Sequence, residues 1–144
     1  MAEHKITLDW TDAGKPFTYE GYPREHAITF KGGQTVTVSA APAYRGDGVH
    51  ADPEDLLVAA LASCHMLSFL AICTKKKVTV KSYRDDAIGH LENDGGKLWM
   101  TKVILRPKVD CDANAATLEQ IHHLAHEACF IANSVKTVVS VELG

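Results

Sequence analysis

Four cysteines stand in the 144-residue chain, at positions 64, 73, 111 and 129. A cysteine reacts as its thiolate, and burial alone pushes the thiol pKa the wrong way, so a reactive one needs a cation nearby. A second thiol extends the chemistry, because a sulfenic acid on one sulfur condenses with a neighbouring thiol to give a disulfide. Cys64 lies between Ser63 and His65 in a long apolar segment, and Cys129 lies in Ala128-Cys-Phe-Ile-Ala-Asn-Ser134. Spacing does not choose the pair: Cys73 and Cys111 are equally available on counting alone. An isolated cysteine within a helix is more often a small buried hydrophobe than a nucleophile.

Charged residues supply the other half of a thiol site. Glu54 precedes Cys64 by ten positions, which on one helix is about 15 Å along the axis and off the same face. It therefore cannot touch Cys64 within that helix. An arginine could bridge the gap, since its fork can hold a carboxylate and still approach a thiolate. Arg24 and Arg45 are the candidates from the N-terminal region. Taken alone, Glu54 reads as a residue that favours the helix N-terminus, and each arginine as a solvated surface charge.

A metal centre is the rival reading. His122, His126 and Cys129 fall at i, i+4 and i+7, which can share a helix face, and His65 adjoins Cys64. Histidine and cysteine are good zinc ligands, but no CxxC or HExxH is present and a closed site needs four placed ligands. No phosphate loop, nucleophile elbow or calcium loop occurs either.

The elements that must position these residues follow from patterning. Ile6, Leu8 and Trp10 alternate with polar residues, as do Phe17 and Tyr19 after Gly14 and Pro16. Ala27 to Phe30, a turn at Gly32-Gly33 and Thr35 to Ser39 read as further antiparallel strands. A loop from Ala41 to Asp52 leads into the strongest helix signal, with Asp52 as N-cap, Pro53 at the first position and acidic Glu54 and Asp55. That helix runs to about Thr74 and has almost no polar face, so it is expected to be enclosed by protein. Its length only just reaches that of a membrane span, and a buried core helix is the preferred reading. Strands are expected from Val78 towards Ile88 and from Leu98 to Val109, then a helix capped by Asp112 or Asn114, then a strand over Thr137 to Leu143. The order is that of one α+β domain spanning residues 1–144.

Composition sets the outer bounds. The chain is 46% apolar and 23% charged, with a net charge of −3. It has no basic footprint for nucleic acid. The first ten residues lack the charged-then-apolar pattern of a secretory signal, so a cytoplasmic protein with reduced thiols is expected.

Two motifs together carry a family resemblance. Asp52-Pro-Glu-Asp-Leu-Leu57 followed by Ala62-Ser-Cys-His65 resembles the first-cysteine signature of the OsmC/Ohr peroxidases, whose helix opens with an Asn-Pro-Glu-Glu-Leu type of start. The segment around Cys129 is similar to their second-cysteine motif, usually Cys-Pro-x-Ser-Asn. Phe130 replaces that proline, and His65 stands where a phenylalanine is common. The resemblance implies an α+β fold with antiparallel sheets around a long buried central helix, in an intertwined homodimer. It implies that Cys64 is the peroxidatic thiol and Cys129 the resolving one. Glu54 would hold the catalytic arginine, which is Arg24 by one branch of the family and Arg45 by the other, with Arg24 preferred. The implied activity is reduction of organic hydroperoxides by a dithiol of the lipoyl type. No cofactor, metal, nucleic acid or membrane partner is expected. A non-enzymatic binder of small hydrophobes, or a redox sensor on the same fold, is the alternative.

Overall fold

Alternating side chains and turn glycines build the N-terminal strands. In the computed structural model, which describes residues 1–144, β1 (Thr7–Asp9), β2 (His26–Thr29) and β3 (Thr35–Val38) form an antiparallel meander. Leu8 registers with Ile28, and Ile28 with Val36. The β2–β3 connection uses Gly32 and Gly33 at φ 79° and 83°, a left-handed conformation that a side chain disfavours. The strand expected around Phe17 and Tyr19 does not form. The backbone turns there instead, and the Thr18 carbonyl accepts from the Gly21 and Tyr22 amides at 3.1 and 3.0 Å. Phe17 and Tyr22 pack on Trp10 with centroids 6.0 and 6.3 Å away, and the Trp10 indole N–H donates to the Pro23 carbonyl at 2.7 Å.

Helix α1 (Pro53–Lys75) begins as its sequence dictates. The Asp55 amide donates to the Asp52 carboxylate at 2.8 Å, and the Asp52 amide donates to the Asp55 carboxylate at 3.1 Å. This reciprocal capping satisfies two of the free N–H groups at the helix start. The helix is not enclosed by its own chain as expected. It buries one stripe at four-residue intervals, Leu61, His65, Phe69 and Cys73, while Leu67 is 60% exposed. A chain this small offers only two apolar clusters for the helix to pack into, and both lie along that stripe.

The chain clusters into two units, Met1–Leu56 and Leu57–Gly144. In the second, β4 (Val80–Asp85), β5 (Ile88–Asp94), β6 (Lys97–Leu105) and β7 (Pro107–Cys111) precede α2 (Ala115–Ala128) and β8 (Val138–Val141). Two sheets result: β4 pairs with β7, and β6 lies between antiparallel β5 and parallel β8. The single strand expected over Leu98 to Val109 is thus two. The chain changes sheets at Arg106, whose amide donates to the Asp85 carboxylate at 2.7 Å, and buried Pro107 opens β7 rather than closing a strand. Asn114 is the α2 cap, accepting from the Thr117 amide at 2.9 Å. One core joins Phe69, Cys73, Ile121 and Ala125, and the other joins Leu61, Val103 and Leu105.

Candidate active site: a thiol pair beside a buried histidine pair

Cys129 is the C-cap of α2, 1% exposed. Its position is set by the tight turn that follows. The Asn133 amide donates to its carbonyl at 3.0 Å, and the Ala132 amide points at its sulfur at 3.4 Å. Burial pushes the Cys129 thiol pKa up, the Ala132 and Ile131 amides oppose this, and the adjoining Cys64 thiol pushes it further up. The two sulfurs, remote in sequence, are therefore neighbours. Both cysteines are free thiols, with Cys64 half-buried on α1. Phe130, next to Cys129, is 81% exposed.

The residue after Cys64 makes a contact that sequence spacing could not reveal. His65 Nε2 lies 3.0 Å from His122 Nδ1, and the two ring planes differ by 3°. Phe69 stacks on His122 with centroids 4.3 Å apart. Both histidines are at most 2% exposed, and neither His65 Nδ1 nor His122 Nε2 has a partner. Burial holds both imidazoles down to about 4, with His122 and His126 adding to the effect on His65. They are neutral at pH 7 and share one N–H between them. A run of histidines on α2 suggests a solvated face, which describes His123 but not His122. The sequence signal for the pair is slight: His65 falls on the four-residue apolar stripe of α1.

His122 thus directs one nitrogen to His65, and the Cys129 sulfur faces Cys64. His122, His126 and Cys129 do not converge as a ligand set. The one group of three ligand-type side chains whose donor atoms do converge is Glu25, Asp47 and His50, all exposed.

The predicted arginines both lie in the N-terminal unit, around Tyr19. The Arg24 guanidinium sits 4.9 Å from that ring and 3.5 Å from the Tyr22 ring, and the Arg45 guanidinium sits 5.6 Å from Tyr19. Arg24 donates to the Tyr22 carbonyl at 2.6 Å, while its Nη2 is buried without a partner. Arg45 adopts φ 68° at the end of a short turn. Glu54 is half-buried in the first turn of α1 and pairs with neither arginine.

An α+β scaffold thus brings two free thiols together, and comparison with known proteins gives its lineage. The OsmC-like protein family model matches residues 46–144, and the chain belongs to the OsmC/Ohr family. An OsmC-like protein of unknown function from Vibrio cholerae O1 biovar eltor str. N16961 is similar at 43% identity, with both chains covered in full and a TM-score of 0.92. The organic hydroperoxide resistance protein OhrB of Bacillus subtilis shares the fold at 18% identity, with a TM-score of 0.75 over 99% of this chain and 98% of that one. An organic hydroperoxide resistance protein OsmC from Legionella pneumophila does so at 18% identity, with a TM-score of 0.72 over 99% and 97%. No curated protein matches in sequence.

Proposed function

We propose that the protein is a thiol peroxidase that reduces organic hydroperoxides to alcohols. The observation that carries this reading is the juxtaposition of the Cys64 and Cys129 thiols. The Cys64 thiolate attacks the peroxide, the O–O bond breaks, and the departing alkoxide takes a proton to become the alcohol. Cys64 is left as a sulfenic acid. Cys129 then attacks that sulfur, water leaves, and a disulfide closes. An external dithiol of the lipoyl type returns two electrons and two protons.

Cys64 is the accessible member and Cys129 the enclosed one, which suits attack by the first and resolution by the second. Exposed Phe130 and Leu67 favour an alkyl or aryl peroxide over hydrogen peroxide. Arg24, with an unpartnered guanidinium nitrogen, is the group assigned to hold Cys64 ionised, with Arg45 as the second choice and Glu54 as the anchoring carboxylate. The uncovered apolar side of α1 supports a homodimer in which a second copy covers it. The protein would work in the cytoplasm, where thiol reductants are available.

The test is one equivalent of cumene hydroperoxide followed by acid trapping and peptide mapping. The expected product is a Cys64–Cys129 disulfide, with turnover when a dithiol such as dihydrolipoamide is added. Both thiols remaining free after this treatment would refute the proposal and favour a binding role.

A further inference from the structure

The other two cysteines are also neighbours in the fold. Cys73 lies near the end of α1, in the core with Phe69, Ile121 and Ala125, and Val78 and Val80 pack against that cluster. The Cys73 carbonyl accepts from the Val78 amide at 2.9 Å, which folds the chain back at once. Two residues later Val80 registers with Cys111 across the antiparallel β4–β7 ladder. Partners in such a ladder present their side chains to the same face. Cys111 thereby lies beside Val80, at the edge of the cluster that holds Cys73. The junction is fixed by a reciprocal pair of bonds: the Thr79 amide donates to the Asp112 carboxylate at 2.9 Å, and the Asp112 amide donates to the Thr79 carbonyl at 3.2 Å.

Exposure divides the pair into two roles. Cys73 is 1% exposed. Cys111 is half-buried and lines a surface depression of about 270 Å³ with Thr79, Lys81, Asp110 and Asp112. Burial and the neighbouring Cys111 and Asp112 push the Cys73 thiol up, so Cys73 is a poor thiol to meet an oxidant first. Cys64 and Cys73 stand nine positions apart on α1, about 13 Å along the axis and on opposite faces. The two cysteine pairs are thus spatially separate.

We infer that Cys73 and Cys111 form a second redox couple, oxidised by a small-molecule disulfide that enters at Cys111. The Cys111 thiolate attacks one sulfur of that disulfide, and a mixed disulfide forms as one small thiol leaves. The Cys73 thiolate then attacks the Cys111 sulfur and expels the second small thiol. The protein loses two electrons and two protons, and the small disulfide becomes two thiols. The product clamps the C-terminal turn of α1 to the end of β7, independently of the chemistry at Cys64.

The test uses the full chain carrying Cys64→Ser and Cys129→Ser, so that its failure is separable from failure of the peroxidase reading. Oxidised glutathione is added, the reaction is quenched in acid, and intact mass and peptide maps are recorded. The expected result is loss of both titratable thiols, no retained glutathione, and a peptide linking Cys73 to Cys111. With Cys111→Ser added, Cys73 should stay free. A glutathione adduct persisting on Cys111 beside a free Cys73, or two unreacted thiols, would overturn the inference. Mapping the same linkage in oxidised wild-type protein reads the outcome if the double variant does not fold.

Discussion

Lowering the pH from 7 to 4 should cost this protein stability through the His65–His122 pair, beyond what its carboxylates contribute. Both imidazoles fall from 6.5 to about 4 on folding because burial disfavours their charged forms. The unfolded chain therefore binds protons that the folded chain refuses between those values. Stability from this source is fully present above the unfolded value of 6.5, declines as pH falls, and is lost near pH 4. At ~1.4 kcal/mol per pH unit the loss is about 3 kcal/mol for one imidazole. Two independent protonations would double it, but the Nε2–Nδ1 contact lets one added proton serve both rings, so a total between about 3 and 7 kcal/mol is expected. The assay is urea unfolding at intervals from pH 4 to 7, for wild type and for the double variant His65→Phe, His122→Leu. Carboxylates titrate in both proteins, so the difference between the two curves isolates the pair. Relative to the variant, wild-type stability should fall by that amount as pH drops from 7 to 4. Parallel curves across the range would refute the pair as a buried neutral couple.

Further expectations concern the thiol site and the frame that holds it. Cys64→Ser should abolish peroxide consumption, whereas Cys129→Ser should complete one turnover and leave a sulfenic acid that dimedone traps. Because burial and Cys64 raise the Cys129 thiol, disulfide closure after peroxide attack should quicken as pH rises above the usual thiol range, which stopped-flow measurement of the resolving step reads. Phe69→Ala should destabilise by about 3–5 kcal/mol in denaturant unfolding, since Phe69 is fully buried and stacks on His122. Gly46→Ala should disrupt the Arg45 loop, because a Cβ there would collide with the Ala40 carbonyl; the protein should lose stability and, if Arg45 serves Cys64, peroxidase rate.

What the sequence revealed and what it hid divide along the range of the interactions. Helix α1 was legible because its start is local: Asp52, Pro53 and Asp55 supply cap, geometry and charge within four residues. Asp112 and Asn114 marked the start of α2 for the same reason, and Asn114 is the one that caps it. The motif around Cys64 and Cys129 identified the thiol pair through family resemblance rather than through spacing. Phe17 and Tyr19 misled because alternation signals a half-buried strand, yet these rings found partners in Trp10 and Tyr22 instead. The break at Arg106 was invisible because a carboxylate 21 residues away captures its amide. The histidine pair joins positions 57 residues apart, which no periodicity encodes. The exposed side of α1 departed from expectation because an apolar composition states that a face wants cover, and not which chain supplies it.

The parallel pairing of β6 with β8 has a consequence for how the protein is made. The β5–β6 hairpin can close as soon as it is synthesised, but its other edge waits for Val138 to Val141. During translation that open edge is a hazard for mispairing between nascent chains. The turn that orients the Cys129 sulfur lies just before the missing strand, so the thiol pair should settle into place only once β8 has been made.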